Sequence, residues 1–225
     1  RARDHALQTV EAGHTKIHLY HIANSRETYD NAESGYRILD NIENTRRDWQ
    51  GYWPMRKFLL NVVLDDSAYY GFFLPRFREE TGLQYQQVIE YVQKSYDAEV
   101  VLFSPQPDMG AFFLNSFEQQ ELFDPGFIEV SEAFLKQVGF DVSLASLIMD
   151  SRQIVFSNYF VARPNFWRAW FGLTEKLFAI CEGADTALRQ ALLKATNNPG
   201  EVQRKVFLLE RLASLLLVTD SQWKV

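Results

Sequence analysis

Apolar positions along this chain fall into short dense runs and longer helical-period stretches, and the two kinds alternate. Residues 16–23, KIHLYHIA, are dense in strand formers and predict a first β-strand. Asn24, Ser25 and Asn31 punctuate the loop behind it, and a mostly polar stretch, 26–50, runs on to Trp53-Pro54. A proline is harmless in a helix's first turn, where its missing N–H has no partner to lose. Met55, Phe58, Leu59, Val62 and Val63 then recur at helical spacing, up to Asp65-Asp66. The run Tyr69–Leu74, YYGFFL, predicts a buried strand that Pro75 stops. Val88, Tyr91, Val92 and Tyr96 share one helical face within 83–96, and Glu99–Phe103 predicts a third strand before Pro105 and Pro107. Two helices follow, 112–123 and 127–138, split by Asp124-Pro125-Gly126. Residues 154–162, IVFSNYFVA, predict a fourth strand, and Pro164 opens an aromatic-rich helix. Helical segments at 185–195 and 201–218 close the chain around Asn197-Asn198-Pro199-Gly200.

Strands alternating with helices imply an α/β layer architecture. Such sheets bind ligands beyond the carboxyl ends of their strands. The loops after Ala23, Leu74, Phe103 and Ala162 are therefore the expected sites of chemistry. Residues 1–15 are polar and aperiodic and read as a leader or linker, so the α/β domain is assigned to 16–225. The chain opens on Arg1 rather than Met, which suggests an excised segment with an upstream domain.

Composition narrows the classes. With 225 residues and 47% apolar content the chain can bury a sizeable core. A net charge of -6 without a basic patch argues against nucleic acid as a partner. One cysteine, Cys181, rules out an intrachain disulfide and suits a reducing, cytoplasmic setting. No apolar run is long enough for a transmembrane segment. Aromatics at 15% fit a bulky core, and also a cleft that stacks on rings.

The expected loops carry polar candidates. His21, Asn24, Ser25 and Arg26 follow the first strand, and arginine grips phosphate in a bidentate way. Adjacent Asp65 and Asp66 offer the oxygen ligands that divalent ions prefer. Arg76 stands where the YYGFFLP run ends, a cation for an anionic ligand. Glu118 and Glu121, three apart on one helical face, are candidates for a general base. Asn158 and Tyr159 interrupt an apolar strand, and a buried amide needs partners. Arg163 and Trp167 follow that strand and suit a sugar, a phosphate or cation–π packing. Neither GxGxxG nor GxxxxGK[ST] occurs, which argues against a Rossmann dinucleotide site and a P-loop. GxSxG and HExxH are absent as well. The residues alone stop at an α/β domain with a polar cleft.

Five segments carry a resemblance further. WPMRKFLL, YYGFFLPRF, FFLNSFEQQELFDPGF, SNYFVARPNFWRAWFGLTEKLFAICEG and QRKVFLLERLASLLLV resemble, in order and spacing, segments of GT-A-like bacterial polysaccharide glycosyltransferases. These enzymes build lipopolysaccharide, capsule and exopolysaccharide, and the resemblance spans roughly 16–218. It implies a GT-A-like nucleotide-binding domain: a mixed central sheet flanked by helices, with a helical tail. It implies transfer of a sugar from a nucleotide-sugar donor to a glycan or lipid-linked glycan acceptor. On that reading His21, Asn24, Arg26 and Arg76 face the nucleotide, and Glu118 or Glu121 is the base. Asn158, Tyr159, Arg163 and Trp167 then line the sugar side. Such enzymes commonly hold Mn2+ or Mg2+ through Asp-x-Asp; here only Asp65-Asp66, without the spacer, is a candidate.

The competing reading is a non-catalytic binding or scaffolding domain of a larger polysaccharide-assembly enzyme. A third is an α/β transferase using another activated nucleotide. The apolar stripe Phe207, Leu208, Leu212, Leu215 and Leu216 predicts packing on the domain's own sheet. A homo-oligomer contact is the alternative, and any approach to the membrane's inner face would run through partners.

Overall fold

The computed structural model describes residues 15–105 and 109–225. The reading of 1–15 as leader or linker, Thr15 apart, and that of Pro107 as a strand stop lie outside the described residues. Five strands form one mixed sheet: β1 (Lys16–Ala23), β2 (Arg37–Asp40), β3 (Ala68–Phe73), β4 (Val100–Leu102) and β5 (Phe160–Ala162). Their order is β2-β1-β3-β5-β4. β1 runs parallel to β2 and β3, whereas β5 lies antiparallel between β3 and β4.

Three of the four predicted strands sit where the apolar runs placed them, as β1, β3 and β4. The fourth predicted strand and the unpredicted β2 differ in instructive ways. β2 was not predicted, because RILD is an edge strand with three of four side chains exposed, and half-exposed strands lose their apolar signature. The predicted strand 154–162 keeps only its last three residues. Ser157 and Asn158 adopt φ values of 48° and 55°, in the left-handed region, which breaks any ladder there.

Helices cover both faces. On one side lie α1 (Arg26–Asp30), α3 (Phe77–Thr81) and α4 (Tyr85–Lys94). Phe77, Val88 and Val92 pack there with Leu19, Tyr69, Phe73, Tyr159 and Val161. The larger core occupies the opposite face. It takes in α2 (Tyr52–Asn61), α6 (Ser116–Phe123) after the single-turn α5 (Met109–Phe112), α7 (Phe127–Gln137), α8 (Pro164–Glu182), α9 (Ala187–Leu193), α10 (Arg204–Leu209) and α11 (Leu212–Thr219). Phe72, Phe160, Trp167 and Trp170 form its centre, with Trp167 edge-on to Phe72 at 5.0 Å. Gly71 sits in β3 because a Cβ there would come within 2.9 Å of Val161 Cγ2.

The C-terminal stripe is buried as predicted: Leu208, Leu212, Leu215 and Leu216 join the larger core. The expected single helix 201–218 is nevertheless two, broken at Glu210-Arg211. Burial explains the break. Arg211 is 8% exposed, and it donates to the carbonyls of Ser116 and Phe207 and to Gln119 Oε1 at 2.7–2.8 Å. A buried guanidinium must find acceptors, and the turn brings these within reach. Among the described residues, no helix is long and apolar enough to cross a membrane.

Candidate functional site

Successive connections from β1 diverge: the chain goes from β1 to β2 on one side, then crosses back to β3 on the other. The crevice between the carboxyl ends of β1 and β3 is thus the topological switch point, where open α/β sheets bind ligands. A cavity of about 570 Å3 opens there. Small-molecule sites run roughly 300–1,000 Å3.

Each wall comes from an identifiable element. Ile22 and Asn24 end β1, and Phe72, Leu74, Pro75 and Arg76 end β3. Trp49, Gln50, Gly51, Tyr52 and Met55 come from the start of α2 and the short 3-10 turn before it. Ser157, Asn158 and Tyr159 enter from the amino end of β5, and Val206, Leu209 and Glu210 from α10 and the break after it. The floor is aromatic and apolar, and the rim carries amides and charges.

Backbone strain collects at this cavity. Gln50, Ser157 and Asn158 line it at φ 47°, 48° and 55°. Such conformations cost energy and persist where surrounding structure enforces them, often at ligand sites. Asn158 is 8% exposed and its Oδ1 has no hydrogen-bond partner among the described residues. Asn41 Nδ2 donates to Asn24 Oδ1 at 2.7 Å, which leaves the Asn24 amide nitrogen as a donor on the cavity wall.

The charges are arranged as two carboxylates and two guanidinium groups. Glu80 accepts the Tyr159 hydroxyl at 2.5 Å and stands 3.7 Å from Arg76. Burial pushes the Tyr159 phenol well above its usual value, and the Glu80 carboxylate adds to that. Arg47 lines the same cavity, is exposed, and forms no ion pair among the described residues. Glu210 accepts no hydrogen bond from them. Burial raises its carboxyl above the usual range; Arg211 opposes this and Glu80 adds to it.

Four residues singled out from the sequence meet here: Asn24, Arg76, Asn158 and Tyr159. His21 does not. Its side chain points to the other face of β1, and its Nε2–H donates to the Thr28 carbonyl at 3.0 Å. Burial lowers its pKa, and that hydrogen bond only partly offsets the effect. Arg26 pairs with Asp30 one helical turn on, at 3.1 Å, outside the cavity.

Arg163 and Trp167 belong to the opposite edge of the sheet, because β5 is antiparallel and its carboxyl end points away from the cavity. Arg163 lies over the Tyr69 ring at 4.3 Å and donates to the Tyr96 carbonyl. Trp167 is fully buried, with its Nε1–H on the Tyr70 carbonyl at 2.9 Å.

Glu118 and Glu121 lie outside the cavity as well, and both are engaged with backbone amides. Glu118 accepts the Leu114 N–H at 2.6 Å. Glu121 accepts those of Gly126 and Ile128, at 2.8 and 2.7 Å, and so pins the turn into α7. Gly126 itself stands at φ 94°, a conformation that favours glycine.

Asp65 and Asp66 precede β3 and so lie at the sheet's far edge. Asp65 pairs with Lys16 at 3.0 Å and Asp66 with Arg168 at 2.7 Å. The pair therefore does not fit a metal held at the cavity. Among the described residues, no group of three or more His, Cys, Asp or Glu side chains is spaced to hold one elsewhere.

Sequence reasoning passed over Arg47, Trp49, Glu80 and Glu210. For Glu210 a signal was present: Glu-Arg interrupts the apolar run FLLERLASLLL as sharply as Ser-Asn interrupts IVFSNYFVA. The chain matches no protein-family model, no curated protein and no solved structure with which it was compared.

Proposed function

We propose that this protein is a glycosyltransferase, moving a sugar from a nucleotide-activated donor to a hydroxyl of a glycan, with the donor in the switch-point cavity. The observation that carries the reading is the pairing, in one crevice, of an aromatic floor with two guanidinium groups at the rim. A nucleoside ring needs an apolar wall, and a diphosphate needs cations or amide donors. Trp49, Tyr52 and Phe72 supply the first, and Arg47, Arg76 and the Asn24 amide the second. A guanidinium beside the leaving phosphate would offset the charge that develops as the sugar–phosphate bond breaks. The mixed sheet agrees with the GT-A-like expectation, and the five resembling segments support it from the sequence.

The test is thermal unfolding against UDP, GDP, CMP, ADP and dTDP, each with and without Mn2+. A nucleotide at one hundred times its Kd stabilises the native state by about 2.7 kcal/mol. For a chain of this size that is a rise of about 5–11 °C. One nucleotide class is expected to give the shift, and Arg76→Ala to remove most of it. No shift with any nucleotide would overturn the proposal in favour of a scaffolding domain.

A further inference from the structure

Behind Ser157 and Glu210 lies a second chamber of about 330 Å3. These two residues line both spaces, so the chambers abut along them. The second chamber differs in chemistry from the first. Its walls are the rings of Phe123, Phe156 and Phe207, and its polar groups are mainly the neutral side chains of Gln119, Gln120 and Asn198. Gln120 is 3% exposed, and its Nε2 has no hydrogen-bond partner among the described residues. A buried amide left with free donors is costly unless a ligand accepts from it. The Arg211 guanidinium beside it is already engaged by two carbonyls and the Gln119 amide oxygen. The wall therefore offers rings and amides rather than a free cation, which suits a neutral polyhydroxyl ring better than a phosphate.

We infer that this chamber holds the acceptor as a neutral sugar ring, and that Glu210 at the junction is the general base that activates its hydroxyl. The inference rests on the glycosyltransferase reading and adds a residue and a substrate class to it. In the step, the acceptor O–H proton passes to a Glu210 carboxylate oxygen. The acceptor oxygen's electron pair forms the new bond to the donor's anomeric carbon. The bond from that carbon to the phosphate oxygen breaks, and its electrons leave with the nucleotide. Glu210 is suited to the task because no hydrogen bond from the described residues ties up its carboxylate. Its neighbour Glu80 is held by Tyr159 and Arg76 instead.

The test uses the full chain, the nucleotide sugar whose nucleotude class gives the thermal shift, and methyl hexosides as probes. Calorimetric titration is expected to show Gln120→Leu weakening hexoside binding at least tenfold while nucleotide affinity stays within twofold. Glu210→Gln is expected to keep both affinities and to lower turnover at saturating donor by at least one hundredfold, within the range for a lost general base. It should also abolish the acidic limb of the rate profile, which a merely structural role would not do. Nucleotide binding combined with undiminished transfer in Glu210→Gln, or with hexoside binding indifferent to Gln120→Leu, would overturn this inference alone. Failure of every nucleotide to bind would overturn the functional proposal and this one together.

Discussion

Truncating Asp124 to alanine would strand a guanidinium inside the protein. Arg204 donates to Asp124 through Nε and one terminal nitrogen, at 2.6 and 2.7 Å, and the two side chains are only 5% and 8% exposed. Such a pair gains little over a well-packed apolar one, but removing one partner leaves a buried charge without water; the nearby Glu121 carboxylate is already engaged by two backbone amides. The remaining contact of Arg204, to the Ala191 carbonyl at 3.3 Å, is too long to compensate. The expected cost of Asp124→Ala is about 3–5 kcal/mol. At about 2–4 °C per kcal/mol for this chain length, that is a fall in Tm of roughly 6–20 °C. The double variant Asp124→Leu/Arg204→Met should recover most of the loss, because it removes both charges. Urea unfolding of the wild type, Asp124→Leu, Arg204→Met and the double variant gives the coupling directly. The pair also matters to the site, since Arg204 opens α10, which carries Val206 and Leu209 into the cavity wall. A loss below about 1 kcal/mol for Asp124→Ala would refute the reasoning, because it would mean that water reaches Arg204.

Two further outcomes separate structural from chemical roles. Glu121→Ala should cost about 1–3 kcal/mol in urea unfolding, because it frees the Gly126 and Ile128 amides, while nucleotide affinity of the folded protein stays unchanged; a normally stable variant that no longer transfers sugar would restore Glu121 as the base. Acid should loosen the wall around Trp49. Burial alone would raise the Asp48 and Glu182 carboxyls, but hydrogen bonds outweigh it and hold both below their usual values: from Arg46 and Lys205 to Asp48, and from Arg46 and the Trp49 indole to Glu182. Their stabilisation is present above the unfolded-state pKa near 4 and is lost as pH falls through the lower folded values. Urea midpoints should therefore drop below about pH 4, and less steeply in Asp48→Asn; an identical slope in that variant would count against the network.

Much of the fold was legible because burial writes itself as pattern. YYGFFL became β3 with all six residues Ala68–Phe73 buried, and the aromatic helix after Pro164 became α8. What stayed hidden was direction and exposure. Strand polarity leaves no trace in a three-residue run, so FVA could not announce that it runs against its neighbours. That one unknown moved Arg163 and Trp167 to the wrong edge and hid the importance of the residues before β5. The site was half legible for a related reason. Asn24, Arg76, Asn158 and Tyr159 adjoin strands, and strand-end logic finds them. Glu80 and Glu210 reach the cavity from helical segments, where a carboxylate looks like any solvated face until tertiary packing encloses it.

The short interior strand β5 also sets an order of assembly. β3 ends at Phe73, yet its partner on that side begins only at Phe160, and β4 has no place in the sheet until that partner arrives. On a ribosome adding roughly 5–20 residues per second, the delay is on the order of ten seconds. Throughout it the β3 backbone, flanked by Tyr69, Tyr70, Phe72 and Phe73, presents an unpaired apolar edge of the kind that invites aggregation. Pairings so distant in sequence are slow to close even in a finished chain. Slow translation prolongs that exposure, so the yield of folded protein should vary with translation rate and temperature.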